Sequence, residues 1–209
     1  MKFFPTFAQD IFVPMKKILL LIAFTLLTTG MYAEKIVATY TMSGTKRNIE
    51  AGIDNNGALN VFIQVVGEYN EYVLVRVTGE KDINIFRTQL AYCKNKFIEW
   101  EQVAKINKVT DFKKEIDARF PDVELWWIGL EWCSSHKQNF IKPVFLVNDG
   151  DASFGATGAA MHWNNEFITQ TFFMLFETAY EIQTLIDALD ITKIKAVLNR
   201  EAQTSALFQ

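Results

Sequence analysis

The alternation of apolar and polar residues divides the chain into two strand-rich stretches, each followed by helix. Residues 35–42 are rich in strand formers, and Ile49, Ala51 and Ile53 alternate with polar neighbours. Leu59, Val61, Ile63 and Val65 share one parity, opposite Asn60 and Gln64. The run YVLVRV at 72–77 is a fourth strand. Asp54-Asn55-Asn56-Gly57 is a turn, because Asn and Gly tolerate a positive φ. Such short connections predict four antiparallel strands.

The period then changes. Ile83, Phe86, Leu90, Cys93, Phe97, Trp100 and Ala104 follow one another at intervals of three and four, which is one face of a helix. Arg87, Lys94, Lys96, Glu99 and Lys105 occupy the other face, and Asp82 is the expected N-cap. The pattern predicts an amphipathic helix lying on a sheet. Matched charges at heptad flanks are too sparse for a coiled coil.

Beyond the helix, Val109 to Ile116 reads as an edge strand and Pro121 interrupts. Residues 123–133, VELWWIGLEWC, carry apolar side chains on both parities and are expected to form one long central strand covered on both faces. Further strands are predicted at Phe140–Val147, at 152–163 and at Phe167–Phe176, with turns at 148–151 and 164–165. Thr178 with Glu181 has the spacing of a capping box, and Asp190 can cap a second helix. The expected fold class is α+β: an antiparallel, sandwich-like β core, one long helix after the first four strands, and helices at the C-terminus.

The segment before the first strand changes the picture of where the protein works. Met15–Ala33 places Lys16 and Lys17 before the apolar run Ile18–Leu27, then a short polar region ending in Ala33. These are the three parts of a secretory signal peptide. The run is about half the length that spans a bilayer, so cleavage is expected over anchoring. We therefore expect residues 1–33 to be an N-terminal extension plus a cleavable signal peptide with its core at 15–33, and 34–209 to be a single globular domain. Met15 is the expected true start. No cysteine follows the apolar run, so no lipid anchor is expected, and the mature chain would be periplasmic or extracellular in a bacterium.

A formal net charge of −3 without a basic stripe argues against nucleic acid as a partner. Cys93 and Cys133 are the only cysteines, and outside the cytosol such a pair reads as a possible disulfide, with two buried thiols as the alternative. Cys133-x-x-His136, together with Cys93 and His162, has zinc-compatible residue types, but one short pair and two scattered residues make a weak signal. Ser134, Ser135 and His136 are adjacent in sequence, which is not the geometry of a triad. Glu124 and Glu131 point to opposite faces if they lie on one strand, and so cannot share a cleft. Asp149 and Asp151 flank a turn without calcium-loop spacing, and no glycine-rich phosphate loop occurs. No cofactor is expected. Of the tryptophans, Trp126 and Trp132 share a face near His136 and are the candidate ligand surface, although core packing is the favoured role. The expected function is that of an exported, non-enzymatic protein that binds another protein or an envelope component. The alternative is an exported hydrolase with a dispersed active site.

Overall fold

The structure, a computed structural model, describes residues 34–68, 72–128, 132–135, 141–160 and 170–207. The chain divides at Ala33/Glu34 into two units, and the fold described is that of the second. It begins with four strands, β1 (Lys35–Met42), β2 (Thr45–Ile53), β3 (Leu59–Gly67) and β4 (Val73–Thr78). The long helix α1 (Glu80–Ile106) follows. Six further strands are β5 (Asp111–Glu115), β6 (Glu124–Ile128), β7 (Trp132–Ser135), β8 (Lys142–Asn148), β9 (Asp151–Ala160) and β10 (Gln170–Phe176). Helices α2 (Ala179–Ala188) and α3 (Ile191–Ala206) close the chain. The α+β class and the order of elements agree with the sequence expectation.

All pairings are antiparallel, and the sheet forks at β3. One path runs β5-β8-β9-β10-β3-β4-β6-β7, while β2, carrying β1, also pairs with β3. Ile49–Ile53 of β2 lie against Leu59–Ile63. Further along, Val66 and Gly67 pair with Phe173 and Phe172 of β10, and the Glu68 amide donates to the Thr171 carbonyl. Strand β3 thus hands its edge from β2 to β10, and the two halves of the sheet diverge around α1.

The helix is what both halves bury. It packs on β4 from the first half and on β8 and β9 from the second, with α2 on its flank. Ile83, Phe86, Leu90, Cys93 and Phe97 are at most 1% exposed, so the interval pattern of the sequence is the buried stripe. They join Val61, Val75, Leu125, Phe145, Phe154 and Phe172 in one continuous core. Phe97 and Trp100 both meet the Phe145 ring, at centroid distances of 6.0 and 5.8 Å. Arg87, on the polar side of α1, donates to the Ile186 carbonyl near the end of α2 and to Asp190 Oδ2. That places a cation where α2 presents its negative pole.

Two details of the ends differ from expectation. Helix α1 is not capped by Asp82: it starts at Glu80, after Gly79 at φ 84°, with no side-chain cap. Glu80 and Asp82 instead sit in the first turn, where negative charge is favoured. At α2, Thr178 Oγ1 accepts from the Glu181 amide as expected. Glu181, however, does not close the box on Thr178. Its carboxylate is buried and accepts from the amides of Gly44 and Glu177, both at 2.7 Å, pinning the β1–β2 turn to the helix. Asp190 caps α3 as expected, accepting from the amides of Thr192 and Lys193, and these bonds with the Arg87 charge hold its carboxyl below the usual range.

The expected single strand over 123–133 is instead a hairpin, β6 and β7 paired through Trp127–Cys133 and Trp126–Ser134. Strand β7 is the end of the path and not a central strand. The small residues of β9 do mark a close approach. A Cβ on Gly158 would lie 2.3 Å from Cε1 of the buried Phe172 ring, whereas the nearest atoms to one on Gly155 would be methyls of Val144 at 3.2 Å and Leu146 at 3.5 Å. Gly158→Ala should therefore cost about 2 kcal/mol in urea unfolding, and Gly155→Ala should be close to neutral.

Candidate functional site

The surface expected to carry ligand contacts centres on Trp126. Strands β2, β3, β4 and β6 turn Ile49, Val61, Val75 and Leu125 toward α1, so the alternate residues form a row on the opposite face: Glu50, Phe62, Arg76 and Glu124 in register. Trp126, one alternation along β6, meets Phe62 edge-on at 6.1 Å. The Arg76 guanidinium lies 5.8 Å from each of these two ring centroids. Its Nε donates to Asn60 Oδ1 at 2.9 Å and its terminal nitrogen to Glu124 Oε2 at 2.8 Å. Thr78 donates to the same Asn60 oxygen at 2.8 Å. Arg76 and Glu124 side chains are 21% and 14% exposed, and Asn60 and Phe62 are buried.

A second polar group borders this row. Tyr72 donates to Glu50 Oε1 at 2.6 Å. Burial first, then the bond to Glu50 and the surrounding carboxylates, push the Tyr72 hydroxyl above its ordinary range. Glu34 is raised by burial and by the nearby Glu50 charge, against the pull of Arg76. The arrangement is a cation held between carboxylates and stacked on aromatic rings. Its hydrogen bonds run inward to neighbouring strands, so it fixes the register of β3, β4 and β6 and keeps a charge off the apolar face.

Trp126 is thus an element of a packed polar-aromatic row. The hairpin register pairs Trp126 with Ser134 and Ile128 with Trp132 along the backbone. The side chains of Trp132 and Cys133 lie outside the described residues, as do His136, His162, Trp163 and Glu131. The Ser134–His136 stretch and the zinc combination of Cys133, His136 and His162 fall there too. With 123–133 folded as a hairpin, the opposite-face argument for Glu124 and Glu131 no longer applies. Among the described residues, no three His, Cys, Asp or Glu side chains gather where a metal ion could be held.

Of the two readings of the cysteines, a Cys93–Cys133 bridge is not found in the structure. Cys93 is a free thiol, fully buried on the core stripe of α1. Cys133 lies on β7, two strands beyond the β4 strand on which α1 packs, about 10 Å across the sheet. Burial pushes the Cys93 thiol up to about 12, which suppresses the thiolate.

The sequence brings Glu124 forward only beside Glu131 and Asn60 only as a polar position of its strand, and nothing in it joins either to Arg76. Their separations of 16 and 48 residues form no local motif. The readable signal was a charged residue inside YVLVRV and an Asn inside an otherwise apolar strand.

In comparisons with known proteins, the chain matches no family model, no curated protein and no solved structure.

Two measurements check this assignment. Arg76→Met, which keeps the aliphatic stem, should lower stability by about 2 kcal/mol, because Glu124 then carries its charge in a mostly buried place without the guanidinium. Adding Glu124→Gln should recover part of that loss. In the native protein Cys93 should resist a thiol reagent at pH 8, and react once the chain is unfolded without reductant.

Proposed function

We propose that this is an exported bacterial protein that is freed from its leader, works in the periplasm or outside the cell, and acts by binding a protein or another envelope component. The observation that carries the reading is the coincidence at one bond. The leader pattern of Met15–Ala33 ends where the second unit of the chain begins, at Glu34, and the first strand starts one residue later. A cut after Ala33 would leave every described strand and helix intact. Among the described residues no helix is long and apolar enough to cross a membrane.

Among the described residues, protonation chemistry disfavours Tyr40, Tyr72 and Cys93 as nucleophiles. A catalytic nucleophile is activated by a lowered pKa or an adjacent base. Here burial moves Tyr40, Tyr72 and Cys93 the opposite way, toward their neutral forms. The Tyr40 hydroxyl is occupied by the Gln64 carbonyl at 2.6 Å, and Arg76 is committed to Glu124 and Asn60.

Expression of the full chain in a bacterial host, followed by fractionation and N-terminal sequencing, tests the proposal. The expected product begins at Glu34 in the periplasmic or culture fraction. Intact chain in the cytosol would contradict both the address and the processing.

A further inference from the structure

The edge strand β5 carries an unused surface on the far side of the molecule's polar-aromatic row. Among the described residues it pairs with β8 alone, and all five of its residues are exposed. The Ile116 amide bonds to the Pro143 carbonyl, its register partner, so the even-numbered residues of this stretch spend their backbone groups on β8. The amides and carbonyls of Asp111, Lys113 and Glu115 therefore point outward along an open edge. Beside that edge, β5 and the last turns of α1 enclose a groove of about 430 Å³ lined by Trp100, Val103, Ala104, Phe112 and Phe145. Val103 and Phe112 are 53% and 46% exposed there, although both are apolar. An edge that is open, flanked by exposed apolar side chains, is a template for another strand.

We propose that this edge is the interface of a symmetric homodimer, in which β5 of one protomer pairs antiparallel with β5 of its partner about a two-fold axis at Phe112. The sequence Asp111-Phe112-Lys113 is self-complementary in that register. Asp111 of each protomer stands opposite Lys113 of the other, giving two cross-strand ion pairs on one face. Phe112 meets its own copy at the closely spaced, non-hydrogen-bonded position. Among the described residues neither Asp111 nor Lys113 makes an ion pair within the chain, so both charges are available. Lys114, by contrast, is engaged at home, its ammonium 4.3 Å from the centre of the Trp100 ring.

The charges also select the register. Centred on Lys113, the same pairing opposes lysine to lysine and Asp111 to Glu115. Centred on Lys114, it pairs Lys113 with Glu115 on both sides, but opposes lysine to lysine at the closest position. Only the Phe112-centred arrangement pairs opposite charges on both sides with no like charges opposed, and it buries an exposed ring against its own copy. The axis stands normal to the sheet, so both α1 helices lie on one face and their Val103 side chains flank the new seam. The result joins the β10-β9-β8-β5 halves of two molecules into one continuous sheet.

The test is the mass in solution of protein recovered from cells expressing the full chain, by sedimentation or light scattering at about 100 μM. The wild type should be dimeric. Asp111→Lys and Lys113→Asp should each weaken the dimer about tenfold or more, by turning both pairs into repulsions. Mixing these two variants, or combining both changes in one chain, should restore it, a rescue that a misfolded variant cannot give. A monomeric wild type overturns the proposal and leaves the edge to a strand from some other protein. A dimer indifferent to both single charge changes overturns it as well, by placing the interface elsewhere.

Discussion

The structure depends on the burial of one helical stripe by two halves of a sheet. Helix α1 presents Ile83, Phe86, Leu90, Cys93 and Phe97 along a single line, and neither half of the sheet alone meets all the surface that line demands. Strand β3 resolves this by changing partners along its length, β2 first and β10 after. Among the described residues the β3–β10 ladder holds two residue pairs, extended by the Glu68–Thr171 bonds and by Ser43 to the Leu175 carbonyl, so the helix carries much of the connection between halves. Burial of apolar side chains at about 25 cal/mol per Å² is non-directional. What makes the result one structure is the set of directional ties laid over it: Tyr40 to Gln64, Glu181 to Gly44, and Arg87 to the end of α2.

The two faces of the first half-sheet illustrate how polar groups support such a core. On the inner face, the residues are apolar and pack on the helix. On the outer face, Arg76 gathers Asn60, Glu124, Phe62 and Trp126 into a row whose polar atoms answer one another. A network of this kind costs desolvation and returns it only when its geometry is good. Its members are therefore committed, and the surface with spare capacity is the β5 edge, where backbone groups, charges and apolar rings have no counterpart among the described residues.

Much of the fold was legible because its signals are local. The three-and-four spacing of α1, the Asp54–Gly57 turn, the Thr178 and Asp190 caps and the edge character of β5 are each contained within a few residues or one periodicity. Asp54 shows how local such a signal is: its Oδ1 accepts from the Asn56 and Ala58 amides, two and four residues on. The hairpin of β6 and β7 was hidden because its strands are apolar on both parities, and Gly129 is the lone turn residue between them. Leu125 and Trp127 face the core, while Trp126 is covered by Phe62 and Arg76, so neither face reads as solvent. The Arg76 row was illegible for the complementary reason: its partners come from three strands and meet only once the register is set. The free Cys93 follows from the same limit, since a count of cysteines carries no distance.

Native-state hydrogen exchange on a Leu90→Ala variant tests the central claim most directly. Leu90 sits fully buried at the middle of the α1 stripe. Its truncation should cost about 3–4 kcal/mol. If α1 holds both halves, the slowest amides of β4 and of β9 lose protection by the same amount. Loss confined to one half, with the other exchanging as in the wild type, would contradict the account.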